Sequence, residues 1–326
     1  MARRGWQTDL NEFRRDARSG SADLVLRATG ILQGAIGDSV PTEATAYRRL
    51  LMNVGRQVIA AQPTLAGVFR LVNDLLWVAG DAPTGEAMRL RALAYLDGHY
   101  EASQADLQGV VARARQWLAR YPVVMTYAHS IVVRDALLAV NERRREFEVL
   151  LSEARPGLEG QVLAYELGAG GVRVTLGVDM ALFGWLPMAS ALVIGVDGVS
   201  LAGAMCKVGT SALLRAAAER EIPRYVLCTS SHLLPADYTL PPVLRSGEPE
   251  EIMPPARSVV IRNPYTEVAP IELVSFVITE EGRMEVPALR ERLAALRVYP
   301  GLIGRQTGQQ EGAAPPPTRP EAPPEK

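Results

Sequence analysis

The feature that most constrains the fold is a series of short apolar runs, rich in β-forming residues, that begins after residue 122. Most of these runs are continuously apolar rather than alternating, as strands are when helices cover both faces of a sheet. Helical stretches, residues 132–145 and 211–221, lie between some of them. The pattern predicts a Rossmann-like, doubly wound and mostly parallel α/β domain over residues 119–303. The predicted strands are 123–126, 148–153, 172–178, 191–196, 225–229 and 258–262.

The first part of the chain has a different pattern, with apolar residues at helical spacing. We therefore predict a helical domain over residues 1–118, with Ser21 and Thr84 as N-caps. The stretch 304–326 is rich in proline and almost free of apolar bulk, which predicts a disordered tail. The predicted helices are 22–36, 45–61, 65–80, 87–100 and 105–121.

Composition excludes several classes of function. A net charge of −1 and an aromatic content of 6% give neither a basic stripe nor stacking platforms for direct nucleic-acid binding. Two cysteines cannot form a disulfide scaffold, so the sequence predicts a cytoplasmic protein. The uncharged stretch 180–196 is too short for a membrane span. The three histidines lack metal-ligand spacing, and we expect no metal and no cofactor.

Polar residues follow the predicted strands, at the edge where open α/β sheets bind their ligands. This edge suits a phosphorylated small molecule, because Arg155 can bind phosphate through two N–H groups and helix N-termini can add more. The residues that follow the strands are Tyr127, Ala128, His129, Ser130, Arg155, Asp179, Asp197, Ser230, Ser231 and His232.

Lys207 is the most informative single residue of the chain. The 35 Lys and Arg residues include only two lysines, Lys207 and Lys326. An ammonium is a compact point charge that the planar guanidinium of arginine does not replace in a tight site. Lys207 follows glycine-rich turns and precedes a helix, as in a phosphate loop, but GxxxxGK[ST] is absent, which argues against a Walker-type NTPase. The alternative is an ordinary surface lysine.

The other candidates also have structural interpretations. Arg155 could pair with Glu153 or Glu159, and Asp179 and Asp197 could cap helices or turns. His129 and His232 could be histidines satisfied within loops. Cys206 and Cys228 could be small buried hydrophobes.

The motifs around these residues resemble the translation initiation factor 2B α/β/δ-subunit family. That family includes isomerases acting on 5-methylthioribose 1-phosphate and on ribose 1,5-bisphosphate. The segment 124–133 resembles its T-H-x-x-S strand end, and 152–167 its E-S/T-R-P motif, with Glu159 where Gln is common. The segment 195–210 resembles its G-A-D…N-K-I-G-T motif, and 263–282 its closing segment.

The resemblance implies a pocket for a sugar phosphate or nucleotide, and an oligomer of two or more copies. The family's isomerases use a Cys and an Asp as acid and base. Here Ala128 stands at the Cys position and Asp197 matches the Asp. We therefore predict a non-catalytic, regulatory binding protein. The pocket residues are Arg155, Asp197, Lys207, Cys206, Ala128, His129 and Ser130.

Two alternatives remain open. One is an aldose–ketose isomerase in which Asp197 works with Cys206 or His129, since moving a proton between adjacent sugar carbons needs an acid and a base. The other is a structural or translation-linked subunit with a vestigial pocket.

Overall fold

The computed structural model describes residues 5–16, 20–40, 43–144, 146–238 and 246–302. The tail predicted at 304–326 lies outside these residues. Within them, no helix combines the length and the apolar character needed to cross a membrane. The first five helices are α1 (Trp6–Arg15), α2 (Ser21–Gly37), α3 (Ala44–Ala61), α4 (Ala66–Ala79) and α5 (Gly85–Leu118).

These five helices contribute to one apolar cluster, which includes the buried side chains of Leu32, Tyr47 and Phe69. The segments predicted at 87–100 and 105–121 are one helix, α5, because residues 101–104 contain no helix breaker. Thr84 is confirmed as an N-cap, since its hydroxyl accepts a hydrogen bond from the backbone N–H of Ala87 at 3.1 Å. The prediction for Ser21 was wrong, because α2 begins at Ser21 itself, after Gly20.

The second part of the chain contains a seven-stranded sheet in the order β3-β2-β1-β4-β7-β9-β10. All neighbours are parallel except β9 and β10. The first six positions follow the doubly wound order of a Rossmann sheet, so the predicted α/β fold is confirmed. The strands are β1 (Val123–Thr126), β2 (Glu148–Ser152), β3 (Arg173–Gly177), β4 (Ala191–Gly195), β7 (Arg224–Leu227), β9 (Phe276–Thr279) and β10 (Gly282–Met284).

Helices cover both faces of this sheet, which explains the continuously apolar strands. Val124 packs towards one face, with the C-terminal half of α5, and Met125 packs towards the other. The first face is completed by α6 (Ile131–Asn141) and α7 (Glu159–Ala169). The second is covered by α8 (Ala181–Trp185), α9 (Thr210–Ala218) and α10 (Val286–Ala295).

A smaller antiparallel sheet, which the sequence did not predict, lies beside the carboxyl edge of the main one. It contains β5 (Gly198–Ser200), β6 (Gly203–Lys207) and β8 (Thr266–Ala269), in the order β5-β6-β8. The strand predicted at 258–262 was wrong. Val260 is 83% exposed, and the run lies between Pro255 and Pro264 without a neighbouring strand.

Candidate functional site

Lys207 lies at the end of β6, where the small sheet meets the carboxyl edge of the large one. Its side chain is only 7% exposed, and its Nζ lies 2.5 Å from Oε1 of Glu159, at the start of α7. Nζ also lies 4.8 Å from the ring centroid of Tyr265. The contact with Glu159 is an ion pair without hydrogen-bond geometry, and no described residue accepts a hydrogen bond from this ammonium. This buried ammonium thus contacts one carboxylate, and a phosphate is an alternative anionic partner for it.

The loop between β2 and α7 presents Arg155 at the same edge. The carboxylate of Asp179, which follows β3, accepts hydrogen bonds from the backbone N–H groups of Ala154 and Arg155 at 2.8 and 2.9 Å. Asp179 therefore holds the loop, as the structural interpretation of this residue predicts. Arg155 is exposed, and within the described ranges its guanidinium has no ion-pair partner. Among the described residues Arg155 forms an ion pair with neither Glu153 nor Glu159, and Glu159 contacts Lys207 instead.

The residues that follow β1 also line the candidate site. The Tyr127 hydroxyl donates a hydrogen bond to the carbonyl of Val208 at 2.9 Å. Burial, followed by the charges of Asp179, Glu159 and Glu267, raises the pKa of Tyr127. Ala128 follows, with a φ of 62°, and carries only a methyl group at the position that the resemblance assigns to the isomerases' Cys.

His129 and Ser130 contact helices rather than Lys207. Nε2 of His129 lies 2.8 Å from Oε2 of Glu166 on α7, and Glu166 also accepts a hydrogen bond from Arg134 at 3.3 Å. Ser130 is the residue that precedes α6. It fits closely against Gly195 at the end of β4, where a Cβ atom would lie 2.3 Å from the Ser130 side chain.

Asp197 and Cys206 lie close together, at the junction between the two sheets. The backbone N–H of Asp197 donates to the carbonyl of Met205 at 2.8 Å, and its carbonyl accepts from Ala66 of α4 at 3.3 Å. Cys206 is buried, and its burial, together with the charges of Glu267 and Asp197, raises the pKa of the thiol to about 12. The thiol is therefore neutral at pH 7 and does not act as a general base.

The N-terminus of α9 completes the site, but a carboxylate of the chain occupies part of it. Oε1 of Glu267, on β8, accepts a hydrogen bond from the backbone N–H of Ser211 at 2.6 Å. Gly209 precedes the helix with a φ of 95°, a conformation that favours glycine. Glu267 and Tyr265 were missed by the sequence reasoning, whereas Tyr127 was among the residues expected at this edge. The one signal for Glu159 was its presence where the family commonly has Gln.

Within the described ranges, no three His, Cys, Asp or Glu side chains form a group that could hold a metal ion.

His232, which follows β7, has its Nδ1 3.0 Å from the Thr229 hydroxyl. The environment of His232 predicts how the stability of the folded protein depends on pH.

We expect the protein to lose stability in mild acid because of His232. Burial lowers the pKa of His232 to about 4. The folded state thus favours the neutral ring, and the resulting stability is present above pH 6.5 and lost as the pH falls towards 4. The loss is at most about 3 kcal/mol, because part of the residue is accessible to solvent.

Urea unfolding of the wild type and of His232→Gln at pH 7.5 and pH 5 tests this expectation. The variant should lose less stability than the wild type between the two pH values. Burial also lowers the pKa of His99 on α5, so His99→Gln measures the contribution of that second histidine. An identical pH dependence in wild type and His232→Gln would contradict the assignment.

A doubly wound sheet behind a helical N-terminal region defines a Rossmann-like α/β protein, of the class whose ligands lie at the carboxyl ends of the strands. Comparison with protein-family models then gives the family. The model of the Initiation factor 2 subunit family matches residues 17–286, and the chain belongs to that family. The resemblance inferred from the motifs is thereby confirmed.

The individual relatives include an isomerase and a translation initiation factor. The chain is 28% identical over 276 residues to a ribose 1,5-bisphosphate isomerase from Haloferax volcanii, covering 81% of this chain and 84% of the relative. It is similar in structure to a translation initiation factor eIF-2B from Pyrococcus horikoshii OT3, with a TM-score of 0.71 and 22% identity over 87% of this chain and 98% of that one.

A third similar chain is part of a tetrameric complex. A chain of the tetrameric eIF2B-beta2-delta2 complex from C. thermophilum has a TM-score of 0.71 and 17% identity, covering 89% of this chain and 93% of that one. At these identities the two solved structures show a shared fold.

Proposed function

We propose that this chain is a non-catalytic member of the family that binds a phosphorylated sugar or a nucleotide at the carboxyl edge of its sheet. The observation that carries the proposal is the environment of Lys207. It is the only internal lysine of the chain, its ammonium is buried, and no described residue accepts a hydrogen bond from its N–H groups. Arg155 supplies a second cation that is exposed to an incoming phosphate.

The chemistry around Asp197 supports binding rather than catalysis. Isomerisation between adjacent sugar carbons needs one group that takes a proton and one that returns it. Ala128 can do neither. Cys206 is buried, with a pKa raised by its burial to about 12. His129 is held by a hydrogen bond with Glu166 on α7. Of these three residues, only the Cys206 thiol could then work with the carboxylate of Asp197, and only as a proton donor.

An isomerase is the second candidate, and one observation favours it. The charge of Asp197 acts on the Cys206 thiol, so these two titratable groups are close to each other, and a relative is named as an isomerase. In this mechanism Asp197 takes the proton from one sugar carbon and returns it to the adjacent carbon, while Cys206 gives a proton to the reacting oxygen and takes one back from the neighbouring hydroxyl. A neutral thiol is the protonation state that such a donor needs.

A ligand panel distinguishes the candidates. We would measure the melting temperature of the full chain with methylthioribose 1-phosphate, ribose 1,5-bisphosphate, ribose 5-phosphate, and adenine and guanine nucleotides. A ligand at about a hundred times its Kd stabilises by about 2.7 kcal/mol, which is several degrees. Binding without turnover supports the proposal, while turnover at about 1 per second or faster that is lost in Asp197→Asn supports the isomerase. No shift with any compound would indicate a vestigial pocket.

We further propose that the protein is a cytoplasmic homodimer or larger homo-oligomer that assembles through its α/β part. The strand β3 is an edge strand of the sheet, and apolar side chains near it are exposed. Tyr165 on α7 is 80% exposed. Exposed apolar patches of this kind mark interfaces, and an open edge pairs readily with a second copy. The patch contains Val162, Tyr165, Leu176, Val178 and Met180.

Tyr165→Asp should shift the protein towards the monomer. A carboxylate in the centre of an apolar interface is desolvated without a partner, while on a monomer it stays in water. Light scattering after size exclusion measures the mass. Tyr100→Asp, at an exposed aromatic residue on α5, is the matched control and should leave the mass unchanged. A wild-type protein that is already monomeric at micromolar concentration would contradict the proposal.

A further inference from the structure

Besides the exposed Arg155, the candidate site has two anion-binding groups, and the chain's own carboxylates occupy both of them. Glu159 contacts the ammonium of Lys207, and Glu267 accepts the hydrogen bond from Ser211 at the N-terminus of α9. These are the positions where a phosphate would bind, because an ammonium and free N–H groups at a helix start both attract anions. A phosphate must therefore compete with residues of the protein itself.

Of the two carboxylates, Glu159 is the one that can move. Its side chain is 30% exposed, whereas the Lys207 side chain is 7% exposed. Glu159 begins α7 directly after the loop of Arg155, and Gly157 leaves space for it, since a Cβ atom at Gly157 would lie 2.6 Å from Oε2 of Glu159. Glu159 can thus turn towards solvent, while the ammonium stays in place.

Negative charges outnumber positive charges around Lys207. Four carboxylates belong to this region: Glu159 at Lys207, Asp179 at the loop of Arg155, Glu267 at the start of α9, and Asp197 after β4. The only cations that we assign to the site are Lys207 and Arg155. A phosphate monoester carries close to two negative charges at pH 7, and a bisphosphate carries about twice as many. In a partly buried site each additional negative charge is repelled strongly.

We propose that Glu159 sets the charge of the ligand: it admits a compound with a single phosphate, which displaces it from Lys207, and discriminates against compounds with two phosphates. This inference rests on the proposed function, because it requires that a phosphate binds at Lys207. It assigns a specificity-determining role to Glu159, beyond the binding role assigned to Lys207.

The test compares the wild type with Glu159→Gln, which keeps the shape of the side chain and removes its charge. Isothermal titration with methylthioribose 1-phosphate and with ribose 1,5-bisphosphate gives the two affinities. We expect wild type to bind the monophosphate more tightly. In Glu159→Gln both compounds should bind more tightly, and the gain should be at least about tenfold for the bisphosphate and smaller for the monophosphate.

Glu219→Gln is the control, because it removes the same charge at the opposite end of α9 and should leave both affinities unchanged. Equal affinities for the two compounds in wild type, or affinities that Glu159→Gln leaves unchanged, would overturn the inference while the proposed function stands. If neither compound binds either protein, but another phosphate of the panel does, the inference also fails. If no phosphate binds, the proposed function fails with it.

Discussion

Lys207→Met is expected to weaken the binding of a phosphorylated ligand on the order of a hundredfold. The methionine keeps the length and apolar body of the side chain but removes the charge. A charge-assisted hydrogen bond contributes about 1.5–3 kcal/mol, which corresponds to a factor of ten to more than a hundred in Kd. At a concentration that gives several degrees of stabilisation in the wild type, less than about 0.5 kcal/mol should remain in the variant. Thermal unfolding with and without ligand measures the difference.

Two further variants separate charge from shape at this position. Lys207→Arg keeps the positive charge but replaces a compact ammonium by a planar fork, so it should restore only part of the affinity. Arg155→Ala should weaken binding less than Lys207→Met, because Arg155 is exposed and its interaction with phosphate is screened by solvent. An unchanged ligand shift in Lys207→Met would mean that the ligand does not contact the ammonium.

Gly160→Ala is expected to destabilise the protein by about 3 kcal/mol or more. Gly160 lies in the first turn of α7, where the helix approaches β2 most closely. A Cβ atom at this position would lie 1.8 Å from the carbonyl oxygen of Ser152 and 2.9 Å from its carbon. These are backbone atoms of a strand hydrogen-bonded on both sides, so they cannot move away as a flexible side chain would.

Gly168→Ala, on the same helix, is the matched control for this substitution. No atom would lie within 4 Å of its Cβ, so alanine should stabilise the helix by about 0.5–1 kcal/mol. Urea unfolding of the two variants should therefore give changes of opposite sign. Because Gly160 sets the distance between Glu159 and the sheet, Gly160→Ala should also weaken ligand binding. A stability close to that of wild type would show that α7 can shift freely.

The sequence was informative wherever one physical requirement dominated. Strands buried on both faces are largely apolar, so β1, β2, β4 and β7 were predicted. The edge strand β3 is partly exposed, and its β-forming residues predicted it. Thr84 was predictable because a hydroxyl before a helix satisfies backbone N–H groups. Arg155, Asp179 and Asp197 follow strands whose carboxyl ends share one edge, and the structure places all three there.

The sequence was less informative where the outcome depends on distant partners. The apolar run 258–262 resembles β9 in composition, but only β9 has a neighbouring strand to pair with. Helix α1 is largely polar, and it forms because two of its residues, Leu10 and Phe13, pack on the other helices. The contact between Glu159 and Lys207 joins the first residue of α7 to the last residue of β6, and spacing along the chain does not encode it.

The length of α5 has a mechanical consequence. Its N-terminal half packs in the helical cluster through Met88, Ala92 and Leu96, and its C-terminal half packs on the large sheet through Val110 and Leu118. A single rod of 34 residues, about 50 Å long, therefore runs through both parts. Hinge motions need a few loop or terminal residues that absorb large changes of dihedral angle, and no such residues interrupt this rod. The two ends of α5 therefore hold the helical cluster and the large sheet in a fixed relative position. Access to Lys207 is controlled by the side chains and loops at the carboxyl edge of the sheet.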